Sequence, residues 1–296
     1  MKLIKLIPCL LLVLVLALTF VGCDEEQPTP AESSGLTEQS TPTPEEEVVD
    51  DTVTIELTGS GYTASKSGVV SASGNVLTIT AAGKYKITGT LDNAQLRIAV
   101  EKTEEVDLVF AGVSITNKTN APLYIESADK VSIKLEEGTE NVLTDAKTYI
   151  LPEGEDKPNA CIYSSEDLTI KGEGTLVVNA NYNNGIGTKN DLKIKGGNIT
   201  VTATNNALKG NQSITIEGGN ITLYGADGIK SDSLVEGEGI IEILGGTINI
   251  KAGDDGLQAA TDITIAEGAS VTVNAADKDV NSDGTTNIAA GTLISK

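Results

Sequence analysis

The sequence predicts an all-β fold, a right-handed parallel β-helix wound as a single-stranded solenoid. Three observations predict it. First, a two-strand unit recurs around Gly-Gly: Leu192 to Val201, Ile214 to Leu223 and Ile241 to Ile250, with the Gly pairs 22 and then 27 residues apart. Second, a turn recurs in step with it, at Asn184-Gly185-Ile186, Asn206-Ala207-Leu208, Asp227-Gly228-Ile229 and Asp255-Gly256-Leu257. Third, Ile, Val and Leu alternate with Thr, Lys and Asn, and no useful length of chain carries the 3.6-residue period of a helix. A repeat of roughly 20–30 residues that cannot bury its apolar face alone must stack on its neighbours. The right hand follows from the handedness of parallel crossovers.

Before this body, residues 1–23 read as a lipoprotein signal. Lys2 and Lys5 precede an apolar run from Leu6 to Val21, too short for a comfortable membrane span. The run closes on Phe20-Val21-Gly22-Cys23, which resembles a bacterial lipobox, so Cys23 is the expected lipidation site. Lipid anchoring to the outer face of the cell membrane follows as the expected location, with the membrane met only through that anchor. Residues 24–51 form a tether of Glu, Pro, Ser and Thr, including Thr41-Pro42-Thr43-Pro44 and Glu45-Glu46-Glu47, too poor in apolar groups to fold.

Residues 52–296 remain as one domain. At 22 residues per coil they make roughly eleven coils, and at about 4.8 Å per coil a rod of about 50 Å. Strand-like runs fill its first part, among them Val76 to Ile79, Leu96 to Val100, Val106 to Phe110 and Val131 to Leu135. Thr144 to Asn159, with Pro152, Glu153 and Pro158, breaks the rhythm and is expected to protrude.

The full chain carries a formal net charge of -21. Without the signal and tether about -13 stays on the body. The sequence is expected to carry no basic patch, so nucleic acid and anionic membrane are excluded as partners, and an acidic ligand would need a cation between it and the protein. Of three cysteines only Cys161 lies in the body, within a strand-like flank, which predicts a buried, inert thiol. With no His in the chain, His-based zinc sites, Ser-His-Asp triads and Cys-His dyads are all excluded. Arg97 is the single Arg and lies far in sequence from the acidic turns.

Asp227 and Asp255 occupy equivalent turns of adjacent coils, with Asp254 beside one and Asp232 five residues after the other. Stacking would bring these carboxylates about 5 Å apart, where like charges need a cation between them. Calcium ligation and plain turn formation both fit such Asp-Gly and Asn-Gly turns. Asp279-Val280-Asn281-Ser282-Asp283-Gly284 matches the first half of an EF-hand-type loop, but its twelfth position is Ala290. A water-completed calcium site and a polar capping loop both fit it. For sugar, Tyr182 and Tyr224 lie just before turns in what reads as neighbouring coils, where they would share a face, and stand either as stacking platforms or as packing residues. Asn184, Asn206 and Lys230 join them as ligand-binding candidates at the same turns.

Several stretches carry a family resemblance: Asn120-Ala121-Pro122-Leu123-Tyr124, Gly138-Thr139-Glu140-Asn141, Pro158-Asn159-Ala160, Asp167-Leu168-Thr169-Ile170 and Ala226 to Asp232. Over nearly all of 52–290 the chain resembles secreted bacterial parallel β-helices of the carbohydrate-binding domain-containing kind, similar to pectate lyases in architecture. The resemblance implies binding of cellulose or acidic sugars, with calcium, and no cleavage. The chain departs from the family at Asn183-Asn184 and Asn205-Asn206-Ala207, where relatives often carry Asp and Gly, so negative charge is lower there.

The expected function is therefore a cell-surface, extracellular lipoprotein that binds plant cell-wall polysaccharide such as polygalacturonate, the acid of pectin, through calcium, without catalysis. Two other readings stand beside it: a polysaccharide lyase or hydrolase acting on pectin, and a structural surface protein or adhesin.

Overall fold

The alternation of apolar and polar residues produces strands with one face in and one face out, and the strands stack in parallel. The computed structural model describes residues 51–154 and 157–296. The signal, Cys23 and all of the tether but residue 51 lie outside the described residues. Each regular coil places three strands on three faces. The first face includes Lys130–Leu135, Asp167–Gly172, Asp191–Ile194, Ser213–Ile216, Ile240–Ile243 and Ile263–Ile265. The second follows at once and includes Thr175–Ala180, Asn198–Ala203, Asn220–Gly225, Gly246–Ala252 and Ala269–Ala275. The third runs from Val76–Ile79 to Val280–Ser282.

Register follows the repeat. Ile170 pairs with Ile194, Ile194 with Ile216, Ile216 with Ile243, and Ile243 with Ile265, so one sequence position becomes one column of the core. These side chains are buried in a single apolar cluster that runs from Val53 to Val273. Burying each stabilises the fold by about 1.5–3 kcal/mol over leaving it exposed.

The third face forms a ten-stranded sheet, in which Val70–Ser73 is an antiparallel edge strand and the rest are parallel, so the helix has about nine turns rather than eleven. Two features absorb the difference. At the N-terminal end Val53–Gly59 pairs antiparallel with Tyr62–Ala64, and Val70–Ser73 with Val76–Ile79, so this stretch caps the stack. Loops that include 145–154 and 232–239 take further residues out of the coils.

The first of these loops does not simply protrude. Its Tyr149 is buried with Ala121 and Ala146 in a small cluster of its own, and donates its hydroxyl to Asp145 Oδ2 at 2.7 Å and to the Ala160 carbonyl at 3.1 Å. Ile150 beside it is exposed.

Candidate functional site

The recurring turn precedes the third face. Ile186 pairs with Leu208, Leu208 with Ile229, and Ile229 with Leu257, so Asn184, Asn206, Asp227 and Asp255, each two residues earlier, form one column. All four are buried. Buried polar groups demand partners, and the column supplies most of them from coil to coil, while Asn206 Oδ1 is left without one among the described residues. Asn184 Oδ1 accepts the Asn206 side-chain amide at 2.8 Å, and Asp227 Oδ1 accepts the Asp255 backbone N–H at 3.2 Å. Asp255 Oδ1 accepts the Lys278 backbone N–H at 3.1 Å, and its Oδ2 accepts Asn281 Nδ2 at 2.6 Å. Lys230 Nζ lies 3.2 Å from Asp227 Oδ2. This column is a polar seam inside the wall.

The exposed acids lie one residue to the side. Asp254, Asp255 and Asp277 each offer a carboxylate oxygen within 4.8 Å of the others. Neighbouring coils set this geometry, because the Asp277 N–H donates to the Asp254 carbonyl at 3.0 Å. Asp254 and Asp277 face solvent and Asp255 anchors the group from the wall. Three hard oxygens on rigid turns suit calcium.

The other candidates lie elsewhere. Asp232 pairs with Lys209 at 2.6 Å. Asp279 and Asp283 flank the strand Val280–Ser282, which pairs in register with Leu257–Ala259, so this stretch runs extended where an EF-hand loop would wrap an ion. Tyr182 stacks on Tyr149, centroids 4.1 Å apart. Tyr224 stands on the second face between Thr202 and Lys251, in the column of Asn179, three residues before Tyr182, so the two tyrosines lie two coils apart rather than in neighbouring coils. Both rings are partly exposed, at 37% and 41%.

Arg97 pairs with Glu126 and lies 6.0 Å from the Tyr124 ring centroid, on the third face. Cys161 is buried, and burial pushes its thiol pKa well up. On the first face the register aligns Lys134 with Lys171, and the Lys195 N–H donates to the Ile170 carbonyl at 2.8 Å, which sets Lys195 beside Lys171. A basic column therefore exists on this acidic chain.

Asp277 and the lysine column both follow from repeat spacing alone. Asp277 lies one coil after Asp254. Lys134, Lys171 and Lys195 each follow an Ile at the same place in the repeat.

The sequence pattern of a family described as Carbohydrate-binding domain-containing protein matches residues 73–295. The chain belongs to this family. A Carbohydrate-binding domain-containing protein of Acetivibrio thermocellus is 48% identical over 227 residues, 76% of this chain and 79% of that protein. A solved structure, the polysaccharide lyase-like protein from C. thermocellum as a gadolinium derivative, superposes with a TM-score of 0.80 at 48% identity, over 83% of this chain and 99% of that one. As a carbohydrate-binding domain protein, the chain has polysaccharide as its partner class. Its β-helix is the shared scaffold on which the turn residues and the lysine column are set.

Proposed function

We propose that the protein holds an acidic polysaccharide such as polygalacturonate at the cell surface without cleaving it, with calcium held by Asp254, Asp255 and Asp277. The convergence of these three carboxylates within 4.8 Å carries the calcium part of the reading. Bound there, calcium would supply a positive centre with positions open to uronate oxygens. Asp254 and Asp277 would bring unshared carboxylates to it. Asp255, whose oxygens already accept Lys278 and Asn281, would orient the turn. Family membership supports the polysaccharide, and the polysaccharide lyase-like relative supports a surface shaped for a sugar chain.

Absence of catalysis is part of the proposal. With no His in the chain and Arg97 bound to Glu126 on another face, the bases left near the acidic cluster are Lys278, held by Asn281 Oδ1 at 3.1 Å, and Lys230, held by Asp227 Oδ2 at 3.2 Å. The lipid anchor at Cys23 belongs to the same proposal, and mass spectrometry of the membrane fraction tests it through a diacylated N-terminal Cys23.

Affinity electrophoresis and calorimetry with polygalacturonate, with calcium and then with chelator, test the binding. A calcium-dependent component of affinity is expected, lost in Asp254→Asn with Asp277→Asn. Unsaturated uronate in the mixture would make the protein a lyase. New reducing ends would make it a hydrolase. No binding to any glycan would leave a structural or adhesive role.

A further inference from the structure

We infer that the first face carries a second anion-binding surface, in which Lys134, Lys171 and Lys195 capture the carboxylates of an acidic polysaccharide directly, the sugar chain running along the helix axis. This rests on the acidic-polysaccharide reading above but not on calcium.

The first argument is electrostatic. Parallel coils lie about 4.8 Å apart, and like charges directly opposite on neighbouring strands are destabilising. The fold nonetheless places three ammonium groups in consecutive coils. Their counter-charges are thin. Lys171 meets Asp107 only at 3.8 Å, while Lys195 shares Glu217 with Lys193 at 3.7 and 3.6 Å. Lys134 is exposed and forms no ion pair among the described residues. An anion laid over the column relieves repulsion that the protein's own acids leave in place.

The second argument is shape. A shallow groove of about 550 Å³ crosses this face, with Lys130, Lys171, Lys193 and Lys195 in its lining beside Glu105 and Asp107, which pair with Lys130 and Lys171, and the two aspartates Asp167 and Asp191. A neighbouring hollow of about 240 Å³, sharing Lys171, extends it to Lys134 and Lys84. The lysines can meet carboxylates, and the two aspartates can accept hydrogen bonds from sugar hydroxyls. A polymer with a carboxylate on every residue repeats its charge as the coils do. A neutral glucan offers the column nothing. Lys binds as a point charge without the fixed fork of Arg, so the interaction tolerates sliding and is screened by salt.

The test uses polygalacturonate and the full chain in excess chelator. Binding should persist in part and should weaken steeply from low to high salt. The triple variant Lys134→Gln, Lys171→Gln, Lys195→Gln should lose about ten-fold in this chelator-resistant affinity. Its calcium affinity by calorimetry should stay within about two-fold, because the acidic cluster lies on another part of the coil. Methyl-esterified polygalacturonate should lose affinity for the wild type as the triple variant does for the acid form. Complete loss of wild-type binding in chelator overturns this inference and leaves the calcium reading standing. Unchanged chelator-resistant binding by a folded triple variant overturns it as well. If polygalacturonate binds neither with nor without calcium, the acidic-polysaccharide reading fails and takes this surface with it.

Discussion

Asp227 accepts the backbone N–H of Asp255 at 3.2 Å, so its carboxylate is tied to the main chain of the equivalent turn in the next coil, inside the wall. Asp227 spends its other oxygen on Lys230. A side chain so engaged has little left for an ion. Asp227→Asn should therefore leave calcium affinity within about two-fold, since Asn already fills this column at 184 and 206, and should change stability by about 1 kcal/mol or less. Asp277→Asn should weaken calcium by about ten-fold or more, because it removes an unshared hard oxygen. Calorimetry on the two variants decides between them, and a reversed order would move the ion to the seam.

Ile216 and Ile243 face each other in adjacent coils and are both fully buried. Truncating either to Ala leaves a cavity that rigid strands above and below cannot close. A loss of about 2–5 kcal/mol in denaturant unfolding is expected. A loss below about 1 kcal/mol would contradict the register, since a one-residue slip turns every side chain to the other face.

Most of the fold was legible because a solenoid repeats its instructions. The Ile columns, the Gly-Gly corner and the Asn/Asp turn each occupy fixed places in the repeat, so sequence spacing becomes spatial stacking. The number of turns was less legible, because the antiparallel cap at 53–79 uses the same alternating pattern as a coil. The site was legible only in part. Sequence shows that Asp254 and Asp255 share a turn, but which of two adjacent carboxylates turns inward depends on the pleat. Asp277 entered the cluster because the next coil offers a different residue at that height. A single lysine in each strand gives no basic run in the sequence, and only the register makes Lys134, Lys171 and Lys195 neighbours.

Asp145 is buried, and burial raises its carboxyl pKa above the ordinary value, against the hydrogen bonds from Tyr149 and Asn181 that lower it. The fold therefore favours the protonated form. The stability this group contributes is full below the unfolded carboxyl pKa and is lost as pH rises through the raised folded value. Asp145→Asn keeps an oxygen for the Asn181 N–H, and Tyr149 can still donate to the Ala160 carbonyl. The variant should gain in urea midpoint relative to wild type on going from acid to neutral pH. Parallel pH profiles for the two proteins would show that Asp145 does not titrate on folding.

The Gly-Gly corner gives the sharpest comparison between neighbours. Gly219 sits at φ 104, with Gly197 at 105 and Gly246 at 91 in the same place of adjoining coils. A Cβ on Gly219 would lie 2.8 Å from the Gly197 carbonyl oxygen, a backbone atom fixed by its own coil. Gly218, its partner in the pair, has no positive φ, and a Cβ there would meet the Lys195 carbonyl oxygen at 3.2 Å, a gap that a small shift can open. Gly219→Ala combines backbone strain of about 1–3 kcal/mol with a clash that pushes two coils apart. It should destabilise the protein by more than about 2 kcal/mol, and Gly218→Ala by clearly less. Guanidinium unfolding of both variants measures the difference. Equal losses would mean that the second glycine is not where the chain turns the corner between the first and second faces.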